Sequence, residues 1–152
     1  MASATNTPPI EGSLQLQDQL CFALYAASRA VTARYRPLLD ELGLTYPQYL
    51  VMLVLWERDA VSVRDLGGAL QLESSTLSPL LKRLEANGLV RRERREDDER
   101  SVAVRLTEAG VDLRERARAV PLAIGDAMGL TPEQDATAKH LLRLLTENVT
   151  RG

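Results

Sequence analysis

One cysteine, Cys21, and one histidine, His140, are all that the 152 residues hold of either type. An internal disulfide is excluded, and one Cys with one His cannot supply the usual ligand set of a zinc site. No metal and no cofactor is expected. Long apolar runs are missing as well. The longest, Tyr49 to Trp56, falls far short of the ~20 residues of a membrane span, so no membrane partner is expected. The first dozen residues, up to Gly12, are Ser/Thr/Pro-rich and contain no Lys or Arg. They lack the marks of a secretory signal. Residues 1–12 are read as a disordered arm and residues 13–152 as one domain, with a cytoplasmic location. There is no internal repeat.

What remains is ordinary for a soluble globular protein: 45% hydrophobic and 26% charged residues in 16.8 kDa, one domain's worth of chain. A net charge of −2 and a pI near 5.5 argue weakly against nucleic acid, but the distribution matters more than the sum. Eight of the nineteen cationic residues lie between Lys82 and Arg105, interleaved with six acids.

From Leu14 to Leu39 there is no Gly, and apolar residues recur at Leu20, Leu24, Ala27, Val31, Tyr35 and Leu38. This spacing predicts a long amphipathic helix, ended by Gly43, whose length hints at a dimer. Thr45-Tyr46-Pro47-Gln48 is a capping box with Pro in the first turn. The helix it opens, to about Arg58, is apolar nearly all round and should be buried. Ser62-Val63-Arg64-Asp65 is another capping box and opens a short helix to about Leu70. Ser74 or Ser75 is the expected cap of the next, whose leucines 77, 80, 81 and 84 share one face. With Ser75 as cap, Pro79 removes only the first intrahelical hydrogen bond. Asn87-Gly88 stops this helix. Leu89–Arg95 and Val102–Leu106 read as a β-hairpin with a polar tip. Thr107 caps a helix that Pro121 bends, and Thr131-Pro132-Glu133-Gln134 starts the last one.

Helix, short turn, helix and basic hairpin make a winged helix-turn-helix, a mainly α fold with a small β-hairpin. Opposite its leucines, the second helix carries Ser74, Ser75, Thr76, Ser78, Lys82 and Arg83. Hydroxyls and backbone amides at a helix N-terminus suit phosphates and base edges, and the two cations suit phosphates. Arg94 adds a cation from the hairpin. At the hairpin tip, Arg100 can enter a minor groove, with Asp98 placed to hold it. The competing readings are a solvated helix face and a charged, solvated turn.

The run Asp98-Glu99-Arg100 through Leu106-Thr107-Glu108-Ala109-Gly110 resembles the wing signature of the MarR superfamily of winged-helix repressors, Asp-x-Arg followed by Leu-Thr-x-x-Gly. The preceding Leu80–Val90 segment is similar to that family too. The resemblance runs over about Leu14 to Thr146. It implies a homodimer joined by N- and C-terminal helices (residues 13–42 and 108–150) around a DNA-binding region (44–107) that binds palindromic double-stranded DNA. It places Arg100 in the minor groove beside Asp98, and Ser74 to Lys82 in the major groove. Leu20–Arg29 and Leu44–Leu50 further resemble the organic-hydroperoxide-sensing OhrR type, in which a single N-terminal Cys is oxidised and DNA is released. That resemblance implies Cys21 as sensor and Tyr25, Tyr35 and Tyr46 as its partners. The second, resolving Cys of some relatives is missing here, so an oxidised Cys21 has three routes: a mixed disulfide with a small thiol, cyclisation with a backbone nitrogen, or further oxidation.

Spacing adds one constraint. Cys21 and Tyr25 share a helix face at i, i+4, but Tyr35 lies ~21 Å farther along a straight helix. Both cannot touch one thiol unless one comes from the other subunit. Phenol O–H donors favour thiolate over thiol. Phe22, Leu24 and Trp56 are candidates for an apolar surround suited to an organic peroxide. A lone helical Cys is otherwise more often an inert buried residue. His140 is read as surface or interface, and Arg114, Glu115, Arg116 and Arg118 as a solvated or dimer-flanking face. Two other functions compete: a MarR-type repressor answering to a small aromatic ligand with Cys21 structural, and a thiol peroxidase. The enzyme reading lacks a resolving Cys, a His near Cys21, and any phosphate or metal motif.

Overall fold

The computed structural model describes residues 12–95 and 98–151; of Arg95, Asp98, Glu99 and Arg100 it describes the backbone alone. The N-terminal arm, and the side chains of Asp98 and Arg100, lie outside the described residues.

A 3₁₀ turn, Leu16–Asp18, precedes α1 (Leu20–Asp40), so the first helix starts where its apolar spacing starts, at Leu20, and not at the Leu14 that opens the Gly-free stretch. Its last turn closes where the Leu42 and Leu44 amides return to the Leu39 carbonyl, and Gly43 takes φ +69°, a left-handed conformation that suits Gly. Helix α2 (Tyr46–Glu57) has the full capping box: Thr45 Oγ1 accepts the Gln48 amide, and Gln48 Oε1 accepts the Thr45 amide. Val51, Met52 and Leu55 are buried, but Leu53 stays 41% exposed, so α2 is not buried all round.

A two-residue strand, β1 (Val61–Ser62), leads into α3 (Val63–Leu70). Alternation could not reveal so short a strand; its partner did not come from sequence neighbours but from β3. Ser62 Oγ accepts the Asp65 amide as expected of a cap. Gln71 at φ 56° ends α3 in a left-handed turn. Helix α4 (Ser74–Ala86) is the second helix of the pair. Its N-cap is Glu73, with no side-chain cap bond, rather than Ser74 or Ser75. Pro79 therefore sits deeper than expected. The first i→i−4 bond is Leu77 N–H to Glu73 O, and Pro79 forfeits the one that would reach Ser75.

Strands β2 (Val90–Arg95) and β3 (Asp98–Leu106) form the wing, β3 longer at its start than its alternation showed. The antiparallel sheet has order β1-β3-β2, with Val90 opposite Leu106, Arg92 opposite Val104 and Val61 opposite Val104. Thr107 caps α5 (Glu108–Ala117) by accepting the Gly110 amide. Pro121 interrupts this helix at the single residue Arg118, whose φ −58° and ψ −28° stay helical, so the chain bends there as expected and continues as α6 (Ala119–Met128). Pro121 lacks the N–H that would bond Ala117, and its ring crowds that carbonyl, so the turn before it gives way. Thr131 and Gln134 reproduce the capping box for α7 (Pro132–Thr150).

One core binds α2, α3, α4 and the wing: Val51, Met52, Leu55, Leu66, Leu77, Leu81, Leu84, Val90 and Val104 are all almost fully buried. Leu80 packs at its margin. The ends of the chain differ. No residue of α7 is buried, and in α1 only Leu39 is.

Candidate functional site

The face of α4 turned away from the leucines is open. Ser74, Ser75 and Thr76 are exposed in its first turn, Ser78 is half-buried, and Lys82 and Arg83 are exposed farther along. Because no side chain caps α4, its first amides are left to an outside acceptor, at the positive end of the helix dipole. A groove of about 650 Å³ opens there, lined by Arg64 and Asp65 of α3, Ser74 and Ser78 of α4, and Arg92 and Ser101 of the wing. Sequence reasoning missed Arg64, Arg92 and Ser101. The one signal for Arg64 was its place in the first turn of a capped helix.

Two acids of the basic stretch are neutralised by neighbours. Glu85 accepts both the Arg92 amide and guanidinium, at 3.0 and 3.2 Å, which pulls its carboxyl below the usual 4.5. Glu93 bridges Arg91 and Arg105 at 2.8 and 2.9 Å. Among the described residues Lys82 and Arg83 make no ion pair, which leaves both charges facing solvent on the α4 face. Arg94 is exposed on β2. The Glu85–Arg92 clamp links the wing to α4.

Cys21 is exposed near the start of α1. Around it the same helix carries uncovered apolar residues: Leu20 at 66%, Phe22 at 43% and Tyr25 at 59% exposure. Tyr25 holds the Arg29 guanidinium 5.5 Å from its ring centre. His140 is exposed on α7, as expected. The other tyrosines gather where α1 meets α2. Tyr35 and Tyr46 stand 4.8 Å apart between ring centres, and Tyr49 lies 5.7 Å from Tyr35. Burial raises the ionisation of Tyr35 and Tyr49 above the ordinary 10.0, helped by their neighbouring phenols. Both phenols therefore keep their protons at neutral pH.

The structure thus joins Tyr35 with Tyr46 and leaves Tyr25 apart. Within one chain, fourteen residues of helix keep the Tyr35 cluster ~21 Å along the axis from Cys21. Tyr49 belongs to the cluster, and its place three residues after Tyr46 was the available signal. Trp56 is engaged away from Cys21: its ring meets Tyr49 edge-on at 6.5 Å and its indole N–H donates to Gly110 O at 2.9 Å. Arg116 is not a merely solvated charge, because it donates to the Glu41 carbonyl at the end of α1. The described residues contain no cluster able to hold a metal ion and no helix long and apolar enough to cross a membrane.

Residues 33–116 match the family model described as transcriptional regulator SarA/Rot. The chain is 48% identical over 128 residues to the organic hydroperoxide resistance transcriptional regulator of Bacillus subtilis, covering 84% of this chain and 85% of that one. Among solved structures, overoxidised AbfR bound to DNA is 39% identical with a TM-score of 0.74, covering 88% of this chain and 94% of that one. The disulfide form of AbfR is 40% identical with a TM-score of 0.61, covering 90% of each chain. With its three-stranded sheet, its open α4 face and this degree of identity over most of its length, the chain belongs to the MarR-type winged-helix transcriptional regulators, among the relatives of the organic hydroperoxide resistance regulators.

Proposed function

We propose that the protein is a homodimeric transcriptional repressor that binds palindromic double-stranded DNA in the cytoplasm, is not an enzyme, and releases its operator when an organic hydroperoxide oxidises Cys21. The observation that carries this reading is the exposure of the single thiol within an uncovered apolar stretch of α1. An organic peroxide finds apolar contact there, and a second copy of the chain finds a surface to cover. The leucines of α7 form a further uncovered apolar face, with Leu141 56% exposed.

In the dimer, Cys21 of one subunit meets the Tyr35–Tyr46 pair of the other, which resolves the distance between them on one helix. Their O–H groups donate to the thiolate. The thiolate sulfur attacks the terminal peroxide oxygen. The O–O bond breaks, the alkoxide leaves and takes a proton as the alcohol, and Cys21 becomes a sulfenic acid. A small thiol then displaces water to give a mixed disulfide, since the chain has no second Cys. The tyrosine hydrogen bonds rearrange, and the spacing of the two α4 helices on the operator changes. DNA contacts come from Ser74, Ser75, Thr76, Ser78, Lys82, Arg83 and Arg94, with Arg100 in the minor groove oriented by Asp98.

The test is an operator-binding assay with and without organic hydroperoxide on the wild type and on Cys21→Ser. The variant is expected to bind operator normally and to stay bound in peroxide. Release of the variant by peroxide would favour a reading in which Cys21 is structural.

A further inference from the structure

We propose that Trp56 is a positioning residue that carries the state of the tyrosine cluster to the junction of α4 and the wing. The inference rests on the function proposed above and concerns how a change at α1 reaches the DNA-reading elements. The contacts are continuous. Tyr35 on α1 packs on Tyr49 of α2, which is 2% exposed, and Tyr49 packs on Trp56, about two turns farther along the same face of α2. The Trp56 indole N–H donates to Gly110 O in the first turn of α5.

At Gly110 the chain has no slack. Its amide is held by Thr107 Oγ1 at 3.1 Å, and a Cβ there would overlap the Leu89 carbonyl oxygen. Thr107 in turn donates its hydroxyl to Gly88 O and its amide to Leu89 O. Gly88 and Leu89 are two of the three residues between the end of α4 and the start of β2. Packed contacts of this kind shift together rather than deforming one at a time. A tilt of the Trp56 ring therefore moves the α4–wing joint, while the Glu85–Arg92 clamp keeps α4 and the wing together as they move.

Trp56→Phe keeps an aromatic ring on Tyr49 and removes the N–H. Wild type, Trp56→Phe and Cys21→Ser are titrated with an operator duplex selected from random-sequence DNA, before and after one equivalent of cumene hydroperoxide. Reduced Trp56→Phe should bind as the wild type does. Its ratio of oxidised to reduced Kd should shrink by about fivefold, the coupling one neutral hydrogen bond supplies. An unchanged ratio overturns the inference while leaving the sensor reading intact. Release of Cys21→Ser by peroxide overturns the sensor reading itself. Should Trp56→Phe fail to fold, the wild type decides, because Trp56 is the chain's single tryptophan. Its emission should change when DNA-free protein is oxidised, and unchanged emission overturns the proposal.

Discussion

Gly110→Ala should be among the most damaging single changes in the chain. The new methyl would overlap the Leu89 carbonyl and press on Leu106 Cδ2 at 3.2 Å. Overpacking of this kind costs about 1–3 kcal/mol, and urea unfolding should show a lower midpoint with little change in slope. Ionisable residues give a second check at the same scale. Arg92 lowers the Glu85 carboxyl below its usual value, so the clamp's contribution is fully present above about pH 4.5 and is lost as pH falls through the depressed value. The acid limb of a stability-against-pH curve should therefore flatten in Glu85→Gln. Tyr35 and Tyr49 act at the other end. Their ionisation is raised by burial, so their contribution holds below pH 10.0 and is lost as pH rises through the folded-state values.

The recognition helix and the wing make separable predictions as elements. Lys82→Ala should weaken binding to all sequences alike and reduce the salt slope of log Kobs by about one unit, as for one lost phosphate contact. Arg100→Ala should instead cost operator affinity strongly, with loss of preference at the base steps the wing reads. Operator titrations at several salt concentrations distinguish the two. Most of these elements were legible because their ends carry local chemistry. Thr45 with Gln48, and Thr131 with Gln134, announced α2 and α7 to the residue. The end of α4 was equally clear from Asn87-Gly88. Its start was not, because three consecutive hydroxyl residues offer rival caps and the winner, Glu73, makes no side-chain bond. Strand β1 was hidden because two residues show no period and its partner Val104 lies 43 residues away. In the site, the residue types were readable, but the Tyr49–Trp56–Gly110 line depends on contacts between elements that no local pattern encodes.

At the scale of the whole molecule, the exposed apolar faces of α1 and α7 are the surfaces on which the proposed dimer rests. Replacing Leu141 and Leu144, 56% and 45% exposed, by Glu should shift sedimentation from dimer to monomer and abolish tight operator binding. The intact dimer should place its two α4 helices one DNA turn apart, ~34–36 Å. The switch then couples one atom to this whole assembly. It is tested most directly by titrating operator-bound protein with organic hydroperoxide in the presence of a small thiol, following DNA release and intact mass in the same samples. The fraction of protein released should track the fraction carrying a modified Cys21, with release more complete when the thiol is present. Protein released from DNA with Cys21 unmodified would contradict the account.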